Sequence, residues 1–380
     1  MTFKPLLPFL AVSFFLGRSL QAEPVYFIAN PTNVGDTNQL KGIERALKAK
    51  DLQMSSTFLE SPEKTQAIKE AVAEGQQVTV IGAGEGGVTG IRALEPAKNL
   101  RVYHTSHMPL AAYKDPKFLE KINGIALPTH TSLEEKAALG TKLIETVGVS
   151  HNRTSEAADA TYAKHKGDLP PAKQYLGVIL GGDAPDVPPS KTMKFFTTED
   201  VLKLADHVVR TSGHDKAHVL VLNGPRTGKY DPKTQEEDMT VHRKGASDPM
   251  TALFVRQLEA NHIPYTLLDF QHKSPDSPAP AYENFDLVVG ALRASKGLLL
   301  VPGESTSMIS EAIDVMPHNQ VVVYPHGAMN AAHRAHVKSE FEAGRVWLLE
   351  SRGAILRPEG GKSVEPSAAR VIAERVFKEK

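Results

Sequence analysis

Short apolar runs alternate with amphipathic segments along most of the chain that follows Ala22. The runs are rich in β-branched residues, and in the segments between them apolar residues recur every three or four positions, which is the helical spacing. This alternation predicts an α/β fold, in which crossover helices cover parallel sheets. In the first half of the chain, the predicted strands are residues 25–29, 77–82, 100–104 and 122–127, and the predicted helices are residues 38–50 and 62–75.

A polar segment, residues 151–174, interrupts the pattern and ends in Pro170 and Pro171. We therefore predict two doubly wound, Rossmann-like domains that face each other across a cleft, formed by residues 23–165 and 166–365, with a C-terminal helix over 366–380. A proline-rich loop is predicted over residues 271–284. In the second domain, the predicted strands are residues 175–182, 217–224, 263–270, 297–303, 320–325 and 345–349, and the predicted helices lie near 198–211, 248–261, 305–314 and 333–343.

The first 22 residues have the pattern of a signal peptide. Lys4 precedes an apolar core from Leu6 to Leu16, and Leu20-Gln21-Ala22 is a plausible cleavage site. The apolar run is short for a membrane span, and Arg18 interrupts it, although an uncleaved anchor is the alternative. The expected location is outside the cytoplasm, either periplasmic or secreted, and no stable membrane span is expected once the signal is removed.

The amino-acid composition narrows the classes of ligand that the protein is expected to bind. Lys plus Arg and Asp plus Glu each total 44, so the formal net charge is 0 and no overall field favours nucleic acid. The chain has no cysteine, which excludes disulfides and thiolate metal sites, and its 15 histidines lack the HExxH spacing of a zinc site. We expect no metal and no cofactor, and a small-molecule or glycan ligand, with a protein partner as a further candidate.

Four predicted strand ends are rich in glycine and polar side chains: residues 30–39, 82–87, 223–229 and 302–311. In the last of these, Gly303 allows a tight turn, Glu304 or Ser305 can cap the following helix, and the amides of Ser305, Thr306 and Ser307 can bind a phosphate. Glu311, further inside the helix, could accept hydrogen bonds from sugar hydroxyls. Simple capping with a solvated glutamate is the alternative.

The other three strand ends are open to two interpretations each. Arg226 and Lys229 could clamp a diphosphate or form a basic surface turn, and their spacing does not match a P-loop. The GAGEGG run formally matches a dinucleotide fingerprint, but its glycines are better explained by close approach of the backbone to a ligand or loop. Asp36 or Thr37 could cap a helix that begins near Asn38, or Asp36 could act as a general base.

Taken in order, these motifs resemble the plant mitochondrial-fission "elongated mitochondria" proteins and their bacterial relatives, a family related to glycosyltransferases of the GT-B fold. The matching segments are residues 35–42, 81–87, 128–130, 180–185, 224–227 and 304–312. The sequence departs from the family pattern in three places: Asp36 stands where histidine is usual, the basic turn has only Arg226, and Glu304 replaces an aspartate.

The resemblance implies a nucleotide diphosphate sugar held in the second domain, with Asp36 or Glu85 as the base on the acceptor side. Two alternatives remain: a non-catalytic exported binding protein and a periplasmic solute-binding protein. The predicted ligand-binding residues are Gly35, Asn38, Gln39, Gly84, Arg226, Thr227, Lys229, Gly303, Glu304, Ser305, Thr306, Ser307 and Glu311.

Overall fold

The computed structural model describes residues 23–51, 54–186, 190, 192–243, 245–272, 283–350, 353–358 and 367–378. The predicted signal segment, residues 1–22, lies outside the described residues, as does most of the predicted loop over 271–284. Within the described part of the chain, no helix is both long and apolar enough to cross a membrane.

The first sheet has six parallel strands in the order β2-β1-β3-β4-β5-β6. Its central strands β3 and β5 are buried along their whole length, as expected for strands covered by helices on both faces. The elements are β1 (Pro24–Ile28), α1 (Val34–Lys48), β2 (Ser55–Phe58), α2 (Gln66–Ala73), β3 (Val78–Ala83), α3 (Gly84–Arg92), β4 (Leu100–Thr105), α4 (Pro116–Glu120), β5 (Gly124–Pro128), α5 (Leu133–Leu139) and β6 (Leu143–Thr146).

The second sheet has seven strands in the order β11-β10-β7-β12-β13-β14-β15, and all neighbours are parallel except β14 and β15. A small hairpin, β8-β9, forms a separate sheet. The elements are α6 (Ser155–His165), β7 (Tyr175–Ile179), β8 (Ala184–Pro185), β9 (Met193–Lys194), α7 (Thr198–Asp215), β10 (His218–Leu222), α8 (Pro249–Ala260), β11 (Tyr265–Leu268), α9 (Asn284–Ser295), β12 (Leu298–Pro302), α10 (Thr306–Val315), β13 (Val321–Tyr324), α11 (Ala331–Glu342), β14 (Trp347–Leu349), β15 (Ile355–Leu356) and α12 (Ala368–Lys378).

Two doubly wound sheets confirm the predicted fold class. Every predicted strand is present. The elements that were not predicted are β2, β6, β8, β9, β15, α3, α4, α5, α6 and α9. The strand β2 is largely exposed at the sheet edge, so it lacks the apolar run by which a buried strand is recognised.

Two helices do not pack with the sheet that is nearest to them in the sequence: α6 packs with the second domain, and α12 packs with the first. Residues 155–165, which the predicted domain boundary places in the first domain, form α6 and pack against α9 of the second. The two helices approach closely because Gly290 has no side chain: a Cβ there would lie 2.4 Å from the carbonyl oxygen of Ala158. Helix α12 returns to the first domain, where Ile372 and Val376 join the apolar core beneath α1.

The connection between the domains, residues 147–151, contacts both. Val149 N donates to Ser310 Oγ of α10, and His151 Nε2 lies 2.9 Å from Asp314 Oδ2 of the same helix. On the first domain, α1 packs directly on this connection, since a Cβ at Gly42 would lie 2.0 Å from the backbone oxygen of His151. The connection is thus held from both sides.

Candidate functional site

Each sheet has one topological switch point, where consecutive connections leave in opposite directions. In the first sheet it lies between β1 and β3, and in the second between β7 and β12. Open α/β sheets bind ligands at the carboxyl ends of the strands at such points. The loops there are residues 29–33 after β1, the start of α3 after β3, Gly181-Gly182 after β7, and Gly303 to Ser305 after β12. The polar strand ends therefore lie where the topology favours a ligand.

Helix α10 begins at the second switch point. Ser305 is its N-cap residue, but its side chain makes no capping hydrogen bond, and the first intrahelical backbone bond runs from Ile309 N to Ser305 O. The predicted side-chain cap is therefore absent. The amide groups of the first turn, at Thr306 and Ser307, point out of the helix end together with its positive dipole, which is the arrangement that binds an anion.

Glu304 does not line this opening, contrary to the prediction. It is 4% exposed, its Oε1 accepts from Gly182 N at 2.7 Å, and its Oε2 lies 2.5 Å from His326 Nε2. His326 Nδ1 in turn accepts from Ala328 N, so His326 donates to Glu304 through Nε2. Although burial opposes the charged form, these contacts and Arg226 lower the pKa of Glu304. It joins the ends of β7, β12 and β13.

Gly303 is needed for packing inside the domain, and this packing explains the glycine without a ligand. A Cβ at this position would lie 2.5 Å from Met329 Sδ, and the Gly303 amide donates to Tyr324 O of the neighbouring strand. The glycine therefore allows the strand end to pack against the residues that follow β13.

The basic turn lies beside Gly182. Asp183 N donates to Arg226 O, and the Asp183 carboxylate accepts from Tyr230 N, so Asp183 holds both ends of the turn. Arg226 is half-buried, and its charge acts on both Glu304 and His333. The turn thus brings the charge of Arg226 close enough to act on Glu304, which directly precedes the N-cap of α10.

The other two residues predicted in this turn are engaged within the protein. Thr227 is 1% exposed, and its hydroxyl accepts from Gly224 N to close the turn. Lys229 forms an ion pair with Glu237 at 3.0 Å and lies over the ring of Tyr230. Arg226 is therefore the residue of the three that the structure presents towards the switch point.

Glu311 lies one turn beyond the start of α10 and faces Arg153, whose Nε is 3.5 Å from Glu311 Oε2. Arg153 also pairs with Asp286 at 3.2 Å. Burial raises the pKa of Glu311, while Arg153 and His151 oppose that rise. In this structure Glu311 is held by Arg153, which lies between the connection and α6.

On the first domain, Asn33 caps α1 by accepting from Asp36 N, and the helix begins at Val34. The prediction that Asp36 or Thr37 caps a helix starting near Asn38 is wrong, because the helix begins four residues earlier. Asp36 instead lies in the first turn, 5% exposed, and accepts from Asn33 Nδ2 at 2.7 Å. Burial raises its pKa, His107 opposes this rise, and Glu85 adds to it.

Gly84 makes room for this carboxylate. The residue has φ of +56°, and a Cβ on it would lie 2.1 Å from Asp36 Oδ2. Glu85 follows at the exposed start of α3, close enough for its charge to act on Asp36. The two predicted catalytic carboxylates are therefore neighbours at the first switch point.

The remaining predicted residues on α1 differ in burial. Gly35 is exposed and Asn38 is half-buried. Gln39 is 6% exposed and its Oε1 accepts from Thr105 Oγ1 at 3.4 Å, so it links α1 to β4 inside the domain.

Histidines line the gap between the domains and were not predicted as site residues. His107, after β4, acts electrostatically on Asp36 of its own domain and on His333 of the second. The rings of His130 and His336, one from each domain, are 4.9 Å apart. Burial lowers the pKa of His130 and of His333 to about 4. These histidines follow β4, β5 and β13 in the sequence, and residues that follow parallel strands lie at the edge of the sheet where ligands bind. Their positions could therefore have marked them as candidate site residues.

Among the described residues, no group of three or more His, Cys, Asp or Glu has metal-binding geometry.

Two Rossmann-like domains with facing switch points define a two-domain protein of GT-B type. The family model described as "Mitochondrial fission ELM1" matches residues 34–246, and the chain belongs to this family. No curated protein is similar in sequence.

Several solved structures are similar to this chain over most of its length, at low sequence identity. A putative UDP-N-acetylglucosamine 2-epimerase from Listeria monocytogenes is 11% identical, with a TM-score of 0.44 over 93% of this chain and 87% of that one. A UDP-glucosyltransferase from Polygonum tinctorium is 14% identical, with a TM-score of 0.42 over 93% and 89%. MurG from Acinetobacter baumannii is 8% identical, with a TM-score of 0.39 over 94% and 90%.

Proposed function

We propose that the cleft binds a nucleotide diphosphate sugar, with the diphosphate at the start of α10. The observation that carries this proposal is the α10 N-terminus without a side-chain cap, located at a switch point where the charge of Arg226 acts on the adjacent Glu304. Amides supply directed donors, and the guanidinium can add two parallel bonds to phosphate oxygens. Because the protein has no net charge, such a local site is what would hold a dianionic ligand.

Glu311 is the proposed contact to the ribose of the ligand. In the proposed complex, Glu311 accepts hydrogen bonds from the ribose hydroxyls. Burial raises the pKa of Glu311, and such hydrogen bonds would stabilise its charged form. Arg153 then shares its charge between Glu311 and Asp286.

For sugar transfer, Asp36 is the proposed general base, since burial raises its pKa towards the working range of such a group. A binding role without transfer is the second candidate. It is favoured by the low exposure of Asp36, whose carboxylate Asn33 holds against Gly84.

A thermal-shift experiment tests ligand binding. UDP and UDP-sugars at a hundred times their dissociation constant should stabilise the protein by about 2.7 kcal/mol and raise the melting temperature by several degrees. Arg226→Gln should weaken binding about tenfold, because a charged hydrogen bond contributes about 1.5 kcal/mol or more.

Arg256→Gln, which removes an exposed guanidinium from α8, is the matched control and should leave the shift unchanged. Asp36→Asn should keep the shift, and loss of transferred sugar product in that variant alone would distinguish a transferase from a binder. If no nucleoside diphosphate changes the melting temperature, the proposed function is wrong.

We also propose that the protein is exported and that residues 1–22 are removed, because the segment has the charge, apolar core and cleavage pattern of a signal peptide. N-terminal sequencing of the protein recovered from fractionated cells should find Glu23 first, in the periplasmic or secreted fraction. A full-length product in the cytoplasm would contradict this.

A further inference from the structure

The joint between the domains, where the connection (residues 147–151) packs on α10 and α11, covers a buried acid on α11. Glu340 is 0% exposed, and Gly148 of the interdomain connection passes directly over it: a Cβ on Gly148 would lie 2.9 Å from Glu340 Oε1. Neither carboxylate oxygen accepts a well-formed hydrogen bond from the described residues. A buried polar group without such partners is rare in folded proteins and calls for an explanation.

Charged groups reach this acid from several elements. Arg345, which follows α11, has its Nε 3.2 Å from Glu340 Oε2, and it donates through Nη1 to Val147 O of the connection and through Nη2 to Asp314 of α10. On the same helix, His336 Nε2 is 3.8 Å from Glu340 Oε1. Glu340 thus lies under the connection, in a network that also holds the connection in place.

His336 and His130, the histidines whose pKa burial lowers here, stay neutral between pH 5 and pH 8, the range over which the joint is tested. Burial lowers the pKa of His336 well below its ordinary value and that of His130, which contacts His336 from the first domain, to about 4. His151, which pairs with Asp314 at the end of the connection, also faces the joint.

We propose that Glu340 is a proton-sensitive latch on the joint between the domains: the interface closes over the protonated carboxyl and loosens when the carboxyl is ionised. This inference does not depend on nucleotide binding, but α10 connects the two places. Its first turn forms the proposed ligand site, and further along the helix Ser310 contacts Val149 of the connection and Asp314 contacts His151.

The direction follows from linkage between protonation and closure. Burial raises the pKa of Glu340 from 4.5 to about 7, although Arg345 opposes the rise. The closed form therefore holds a proton more tightly than an open form in which water reaches Glu340. Closure is fully favoured below pH 4.5, weakens as the pH rises towards 7, and changes little above that.

The absence of cysteine allows a direct measurement of the joint. Ala67→Cys on α2 and Ala260→Cys on α8 place one exposed label on each domain of the full-length chain. Energy transfer between the two dyes should report a closed pair at pH 5 and a more open one at pH 8. Glu340→Gln, which is neutral at every pH, should remain at the closed value throughout.

Glu340→Met, a neutral and unbranched alternative, provides the same test if the glutamine variant does not fold, with circular dichroism as the check on folding. His151→Gln should retain the pH response. Identical transfer at pH 5 and pH 8 in the otherwise unchanged protein would overturn the proposal. So would a response that persists in both Glu340 variants, or one that disappears in His151→Gln.

Discussion

Replacing Glu304 with alanine should lower the free energy of unfolding by about 3 kcal/mol, because it leaves Gly182 N and His326 Nε2 buried without an acceptor. Urea unfolding at pH 7, followed by circular dichroism, measures this difference. Glu304→Gln keeps an acceptor but loses the charge, and it should fall between alanine and the natural residue.

The effect should depend on pH in a defined direction. The pKa of Glu304 is lowered in the folded protein, so its contribution is present above the ordinary pKa of 4.5 and is lost as the pH falls through the folded-state value. The difference between the Glu304→Ala variant and the natural protein should therefore shrink in acid. Glu199→Ala, at a side chain 76% exposed, is the control and should have little effect. A Glu304→Ala variant as stable as that control would show that the three strand ends do not depend on this carboxylate.

Gly42→Ala should destabilise the protein by about 3 kcal/mol, since the new methyl group would overlap the backbone oxygen of His151 at 2.0 Å. A flexible side chain could rotate away from such a clash, but a backbone carbonyl held in the connection can only shift together with that connection. Thermal unfolding of the full-length chain measures the loss.

The matched control is Gly213→Ala. Gly213 also lies in a helix, α7, but nothing lies within 4 Å of a Cβ there. That substitution should stabilise the protein by about 0.5–1 kcal/mol, because alanine is the better helix former. If both substitutions had the same effect, α1 would not be packed on the connection as described.

The sequence predicted the fold because its buried strands are continuous apolar runs. Strands such as β3 and β12 need no tertiary information to be recognised, and their order along the chain predicts the doubly wound topology. The packing of residues 155–165, which form α6, could not be read from the local sequence, because their contact with α9 depends on Gly290, more than a hundred residues away.

The candidate site was predicted only as a set of loops. A polar residue at a strand end can face the cleft or the interior, and residue type does not decide which. Thr227, Gln39 and Glu304 face inward, where they close a turn, link a helix to a strand, and join three strand ends. The clusters of histidines after strands were visible in the sequence, but their meeting across the gap depends on how the domains dock.

The position of α12 has a consequence for synthesis. Because this helix completes the core of the first domain beneath α1, the sheet made first on the ribosome cannot bury Leu40 and Ile43 fully until residues near 370 have been translated. Domains commonly fold in the order in which they emerge. In this protein the second domain can complete its own core before α12, the last helix of the first domain, has been made. We therefore expect the N-terminal domain to be the later of the two to reach its final structure.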